Sequence, residues 1–129
     1  MSFAKSLSIK DELTRDVNKV ARMTTFLIDQ NVVLATPVDK GEAISSWQVS
    51  QGTPITTDND VKDKTGSLSI QQAKAVIESS GTIKYPTFYV RSNKPYIERL
   101  NAGYSLKAGA NFVEQGITRG INGAKSITI

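Results

Sequence analysis

The feature that most constrains this chain is a long run of helical periodicity near its N-terminus. Apolar side chains recur roughly three or four residues apart from Leu13 to Leu34, and Pro37 then stops the helix. We predict a helix over residues 9–35, preceded by a loose arm at residues 1–8. A helix this long needs a sheet or another helix to cover its apolar face. The predicted apolar stripe holds Leu13, Val17, Val20, Thr24, Leu27, Ile28 and Leu34, and the polar face holds Arg15, Asp16, Lys19, Arg22 and Asp29.

The rest of the chain divides into short elements separated by turn residues. Alternation at Trp47–Ser50 predicts a half-buried strand, and a second strand, bent at Pro86, is predicted over residues 82–91. The other predicted elements are an exposed loop at 52–66, a helix from Ser67 or Ser69 to Ser80, a short helix at 98–101 closed by Gly103, a last helix at 108–120 and an extended tail at 124–129. This order predicts one α+β domain with a small antiparallel β-sheet packed by a long N-terminal helix and a C-terminal helix.

Three glycines stand in the last predicted helix. Gly109, Gly116 and Gly120 each weaken it by up to about 1 kcal/mol relative to alanine. Glycines in such positions permit close backbone approach, against either a strand or another subunit, and the sequence leaves both open. The alternation in the tail indicates a strand that pairs with the sheet edge of a neighbouring chain.

The composition excludes several classes of chemistry. The 129 residues include no cysteine and no histidine, which removes disulfides, thiolate metal sites and the usual general base near neutral pH. The candidate carboxylates Asp39, Glu98 and Glu114 are not paired at a meaningful spacing. We therefore expect no enzyme and no cofactor. No apolar run approaches the roughly 20 residues of a membrane span, so we expect a cytoplasmic protein without a membrane partner.

The charge of the chain is unevenly placed. Residues 41–80 carry a net charge of −2, whereas residues 81–129 carry +5, within a total of +4. A basic face attracts nucleic acid, and an alternative function is therefore a nucleic-acid-binding module. No basic run with interleaved aromatic residues is present, and a solvated surface explains the same charges. The basic residues that such a module would use are Arg91, Lys94, Arg99, Lys107 and Arg119.

Two stretches that contain proline, glycine and other turn residues carry most of the specific information about the architecture. The first runs from Thr36-Pro37-Val38-Asp39-Lys40-Gly41 to Ser45-Ser46-Trp47, with turn residues followed by the only tryptophan. The second, residues 92–105, reads SNKPYIERLNAGYS. Its proline fixes the local backbone, and its glycine permits a sharp exit from a short helix. Neither stretch contains a nucleophile with a base, so their residues indicate architecture.

These stretches resemble a known family. The first is similar to the "TPVDTG…SSW" signature of tailed-bacteriophage neck and tail-completion proteins, and the second resembles their "NNLPYA..LNEGYS". The segment GANFVE at residues 109–114 is similar to their "PAGFVE". The order and spacing agree over about residues 9–122. Lys40 replaces the threonine of the first signature, and the proline expected before the last helix is absent.

The resemblance implies a structural virion protein. Such proteins form a homo-oligomeric ring at the head–tail junction, here of six or twelve subunits, between a head-side adaptor and the tail tube or its terminator. Phage DNA passes through without sequence recognition. A tail-terminator ring capping the tail tube is an alternative. The residues implied to hold the fold and the subunit contacts are Pro37, Asp39, Gly41, Trp47, Pro95, Tyr96, Asn101, Gly103, Tyr104 and Phe112.

Overall fold

A computed structural model describes residues 3–38, 40–103 and 110–127, with side chains from Val17 to Ser126. Four α-helices and two strands form the α+β fold that the sequence predicts. In chain order, they are α1 (Phe3–Ala35), a 3-10 turn (Ile44–Ser46), β1 (Trp47–Gln51), α2 (Ser67–Ser79), β2 (Phe88–Ser92), α3 (Ile97–Asn101) and α4 (Phe112–Ile127). The N-terminal helix packs against both the C-terminal helix and the sheet.

The close packing of α1 and α4 explains two glycines of the last helix. A Cβ atom on Gly116 would lie 2.7 Å from the Cα of Val32, and one on Gly120 would lie 2.5 Å from the Cα of Ile28. Both distances are too short for any side chain. The partner of these glycines is therefore the protein's own first helix, neither of the two partners that the sequence left open.

The sheet consists of two antiparallel strands, and α2 covers the outer edge of β1. Trp47 pairs with Ser92 and Val49 pairs with Val90. On the other side of β1, the Gln72 side chain donates to Val49 O (2.8 Å) and accepts from Val49 N (2.9 Å). The Gln72 amide thus makes the two hydrogen bonds that a third strand would make, and it satisfies an edge that would otherwise be open.

The core is built from two apolar clusters, and Val90 of β2 packs against both of them. The larger contains Val32, Val33, Ile44, Trp47 and Phe112, which come from α1, the 3-10 turn, β1 and α4. The smaller contains buried residues of β1 and α2, with partly buried side chains from α1 and β2 packed against them. Because α1 contributes to both clusters, it links the α4 side of the molecule to the α2 side.

The ends of the chain differ from the prediction. α1 begins at Phe3, so residues 3–8 of the predicted arm are helical, since no glycine or proline interrupts the helix there. α4 runs to Ile127, so residues 124–127 of the predicted tail are helical. Ala124 is buried on the same face as Gly116 and Gly120, which continues the contact with α1. The strand-edge pairing proposed for the tail is therefore wrong for these residues.

Two further predictions inside the chain are corrected. Residues 82–87 are not a strand, because Tyr85 has a φ of +51° and its N–H is bonded to Asn18 Oδ1 at 2.8 Å. The last helix starts at Phe112 and not at residue 108, since Asn111 has a φ of +65°. Residues 108 and 109 lie outside the described part.

The faces of α1 also differ from the predicted stripe. Asp29, assigned to the polar face, has 0% exposure, whereas Val17 and Leu34, assigned to the apolar stripe, are 53% and 59% exposed. Asp29 precedes Val32 and Val33 by three and four residues and therefore shares their buried face. The buried residues of α1 are not confined to one stripe, because the helix packs mainly against α4 and also contacts α2 and the sheet.

Candidate functional site

The first motif joins the end of α1 to the start of the sheet. The indole N–H of Trp47 donates to Thr36 Oγ1 at 2.9 Å, and that hydroxyl donates to Val32 O at 2.7 Å. Both side chains are buried, and so is Pro37, which follows the helix. The only tryptophan is therefore a core residue whose polar atom has a hydrogen-bond partner.

Two serines of the same motif hold distant segments in place. Ser45 Oγ donates to Asp63 O (2.9 Å) and accepts from Asp63 N (2.8 Å), so one hydroxyl satisfies both backbone groups of a residue 18 positions away. Ser46 Oγ lies 2.6 Å from Ser92 Oγ in the second motif. These contacts connect the two motifs directly.

Gly41 has a conformation and a position that only glycine fits well. Its φ is +88°, and an added Cβ atom would lie 2.9 Å from the backbone carbon of Lys62. The turn after α1 is thereby packed against the loop at residues 52–66. Asp39, the neighbouring site residue of the prediction, lies outside the described residues.

The loop at residues 52–66 is anchored to the rest of the fold. Asn59 Nδ2 donates to Ser45 O at 3.0 Å, and Asn93 Nδ2 donates to Ile55 O at 2.9 Å. Lys94 Nζ forms a 2.7 Å ion pair with Asp58 Oδ2, and this hydrogen bond raises the pKa of Lys94. The second motif thus holds the loop from one side while the first motif holds it from the other.

The loop ends in a carboxylate that caps α2. Asp63 accepts hydrogen bonds from the N–H of Leu68 (2.9 Å) and from the N–H and hydroxyl of Thr65 (3.0 and 2.7 Å). The bond from Leu68, followed by those from Thr65, lowers the pKa of Asp63. Neither of the two serines at the predicted start of the helix, Ser67 or Ser69, is its N-terminal cap: Gly66 precedes the helix with a φ of +75°, and Ser69 donates to Trp47 O.

Asn101 of the second motif caps α4. Its Oδ1 accepts from Val113 N at 2.9 Å, and its backbone oxygen accepts from Asn111 N at 2.6 Å. Its Nδ2 donates to both carboxylate oxygens of Glu114 at 3.0 Å. Gly103, with a φ of +101°, lets the chain leave α3 sharply. The short helix therefore fixes the position at which the last helix begins.

Apart from Asn101 and Gly103, the described site residues of the prediction fall into two groups. Pro37, Gly41, Trp47 and Phe112 are buried, and Trp47 and Phe112 belong to the same cluster. Pro95 and Tyr96 are exposed at the start of α3, where partial burial raises the pKa of the Tyr96 hydroxyl. The first group holds the fold, whereas the second is accessible to a partner. Tyr104 lies outside the described residues.

The described candidates for acid–base or nucleic-acid chemistry are not assembled into a site, and Asp39 lies outside the described residues. Glu98 and Glu114 are exposed, and Glu114 is bonded to Asn101. The described residues contain no group of three or more acidic side chains that could hold a metal ion. Among the basic candidates, Arg91, Arg99 and Arg119 are exposed and Lys94 is paired with Asp58, whereas Lys107 lies outside the described residues.

Asp29 is a buried residue whose role the sequence did not reveal. Both of its carboxylate oxygens are buried without a hydrogen-bond partner in the described structure. Desolvation raises its pKa to about 7. Its spacing from Val32 and Val33 was the sequence feature that could have indicated its burial. Gln72 had no comparable signal, because its partner is a strand 23 residues away.

No helix among the described residues is long and apolar enough to cross a membrane. The two motifs, the anchored loop and the capped α4 form one connected set of contacts around Trp47 and Phe112. Comparison of the chain with protein-family models, with curated proteins and with solved structures finds no match.

Proposed function

We propose that this chain is a structural subunit of a tailed-bacteriophage virion, a neck or tail-completion protein that forms a ring at the head–tail junction. One observation carries the proposal: the segments that resemble the family signatures meet in space. Ser46 contacts Ser92, and Trp47 shares a buried cluster with Phe112. The motif residues thereby have the architectural role that such a subunit requires.

The surface also supports subunit contacts. A ring of identical subunits uses two different patches that fit each other. Tyr96 combines an exposed aromatic ring with a polar tip at the start of α3, and Leu34 leaves a large apolar side chain exposed on α1. In the proposed ring, such side chains contact the neighbouring subunit, the head-side adaptor or the tail tube, and DNA passes through the centre.

The test is the phage particle itself. Purified virions of the phage that encodes this chain are analysed by mass spectrometry and by electron microscopy of the neck with symmetry imposed. We expect the chain in intact particles and a ring of density at the head–tail junction that accepts this fold. A ring at the end of free tails instead indicates the tail-terminator alternative, and absence of the chain from intact virions contradicts both.

A matched pair of variants tests the proposed contact surface. Tyr96→Ala removes an exposed aromatic side chain of the second motif, and Tyr85→Ala removes one of greater exposure outside it. In a phage lacking its own copy, we expect Tyr96→Ala to reduce head–tail joining and Tyr85→Ala to preserve it. Equal phage yields from the two variants would contradict the assignment of Tyr96 to the interface.

The nucleic-acid alternative makes a different prediction. Binding through the exposed arginines would weaken steeply with salt, because cations released from duplex DNA drive such binding. A ring subunit whose DNA contacts exist only in the assembled channel binds duplex DNA weakly as an isolated chain. Salt-dependent affinity of the isolated chain, together with its absence from virions, would favour this alternative.

A further inference from the structure

An open groove lies between α1 and α2, apart from the motif residues. Its volume is about 350 Å³. Met23 and Phe26 of α1 and Ile77 of α2 give it an apolar lining. Phe26 and Ile77 also belong to the smaller core cluster, so the groove reaches the edge of the core. Its inner surface is therefore held by packed side chains.

Positive charge predominates around this groove. Lys19, Arg22 and Lys74 lie along it, with Glu78 as the acidic residue among those lining it. Glu78 Oε1 lies 4.0 Å from Lys74 Nζ, and both side chains are about two-thirds exposed, so this ion pair is weak. Among the side chains that the structure describes, from Val17 onward, none forms an ion pair with Lys19 or Arg22.

Arg22 gives the independent indication of a ligand. Its Nη1 atom is buried and has no hydrogen-bond partner in the described structure. A buried guanidinium nitrogen without an acceptor is unfavourable, and a carboxylate is the group whose geometry suits an arginine best. Because Arg22 lines the groove, the groove combines an apolar lining with a guanidinium group that lacks one of its acceptors.

We propose that this groove binds a segment of a partner protein that carries an apolar side chain next to carboxylates. The apolar side chain contacts Met23, Phe26 and Ile77, while a carboxylate accepts from Arg22 and lies near Lys19 and Lys74. A nucleic-acid backbone would offer anions to the cations but nothing apolar to the lining. This proposal does not depend on the function proposed above.

The test uses two peptides that differ only in charge. Acetyl-Ser-Glu-Phe-Glu-Ser-amide and its counterpart with glutamine in place of glutamate are titrated into the ¹⁵N-labelled protein and followed by NMR. We expect the acidic peptide to shift the amide signals of Met23, Phe26 and Ile77. We also expect it to bind about tenfold more tightly than the neutral peptide, as one charge-assisted hydrogen bond would give.

Two variants and a control locate the charge effect. Arg22→Met should abolish the preference for the acidic peptide, and Lys19→Gln, on the exposed edge of the groove, should reduce it without disturbing the fold. Arg119→Met removes an exposed arginine of α4 and should leave the preference intact. Thermal unfolding of each variant checks its folding, and Lys19→Gln remains decisive if Arg22→Met does not fold.

Several outcomes would overturn the proposal. Equal affinities for the two peptides would show that the groove does not select carboxylates. Signal shifts outside α1 and α2 would place the binding elsewhere. Binding of 3-phenylpropionate without binding of the acidic peptide would indicate a small carboxylate ligand in place of a protein segment.

Discussion

Several buried polar side chains in the described part of the chain make specific bonds to backbone groups that are distant in sequence. Ser45 satisfies both backbone groups of Asp63, and Ser69 satisfies the carbonyl of Trp47. Each such bond fixes a loop or strand relative to another element, and removal of one partner leaves a buried group unpaired. Asp29 differs, because its carboxyl group is buried without such a bond within the described structure.

Asp29 makes the stability of the protein depend on pH. Its pKa is about 7 in the folded protein and near 3.8 in the unfolded chain. The folded state therefore binds a proton that the unfolded chain has already released between these values. The free energy of unfolding is highest below about pH 4 as far as this group is concerned, and falls as the pH rises to about 7. The total loss is about 4 kcal/mol, at about 1.4 kcal/mol per pH unit.

Asp29→Asn removes this titration while keeping the shape of the side chain. We expect the variant to gain stability relative to the wild type as the pH rises from about 4 to 7, and the gain to level off above that range. Urea unfolding at several pH values measures it. The exposed Asp60→Asn is the control, with no comparable gain. Parallel stability curves for Asp29→Asn and wild type would contradict the assignment.

A comparison of Gly41 with Gly52 distinguishes two costs of adding a side chain, backbone strain and steric overlap. Both have φ near +88°, but a Cβ atom on Gly41 would meet the backbone of Lys62 at 2.9 Å, whereas one on Gly52 has no described atom within 4 Å. Gly52→Ala should cost about 1–2 kcal/mol from backbone strain alone. Gly41→Ala should cost at least about 1 kcal/mol more, because the turn must also move away from the loop. Chemical denaturation of both variants compares them, and equal losses would exclude the steric cost.

At the scale of elements, α1 and α4 depend on their close approach. Gly120→Ala would place a Cβ atom 2.5 Å from the backbone of Ile28, so the helices must separate or bend. We expect the free energy of unfolding to fall by about 1–3 kcal/mol, the usual range for overpacking, or more.

Gly123→Ala is the matched control, because the nearest neighbour of its Cβ atom, Leu27 Cδ1, would lie 3.6 Å away. Alanine there should add up to about 1 kcal/mol through helix propensity. Thermal unfolding would show opposite shifts for the two variants, and shifts of the same sign would refute the close contact.

The start of α4 depends on a residue of the preceding helix. Asn101→Ala removes the acceptor for Val113 N and the donor to Glu114, and should cost about 1 kcal/mol, as the loss of an N-terminal cap does. Asn122→Ala, at an exposed position within α4, should change stability by less than about 0.5 kcal/mol. Hydrogen exchange should show faster opening of the first turn of α4 in Asn101→Ala. Unchanged exchange there would mean that Asn101 does not act as the cap.

The elements that could be predicted are those with local signals. Pro37 marks the end of α1, and Gly81 and Gly103 follow the ends of α2 and α3, so these boundaries are readable from neighbouring residues. The strand prediction around Tyr85 was wrong, because a hydrogen bond to Asn18, 67 residues away, overrides the strand propensity of this segment. The cap of α4 was missed for a similar reason: Asn101 lies well before the helix in sequence.

At the scale of the whole molecule, the single domain predicted from chain length can be tested with the only tryptophan. Trp47 contacts the end of α1 and shares a cluster with Phe112 of α4, while its carbonyl accepts from Ser69 of α2. Its fluorescence should therefore report loss of the same structure as far-UV circular dichroism, which follows the helices. We expect coincident urea transitions with a common midpoint, as for one cooperative unit. Because α1 contributes to both core clusters and Val90 of β2 packs against both, separate unfolding would require both connections to be lost. Non-coincident transitions would show that the clusters unfold independently.

Repeating the experiment with Gly120→Ala tests the coupling of the two clusters. If α1 couples them, loosening its contact with α4 should lower both midpoints together.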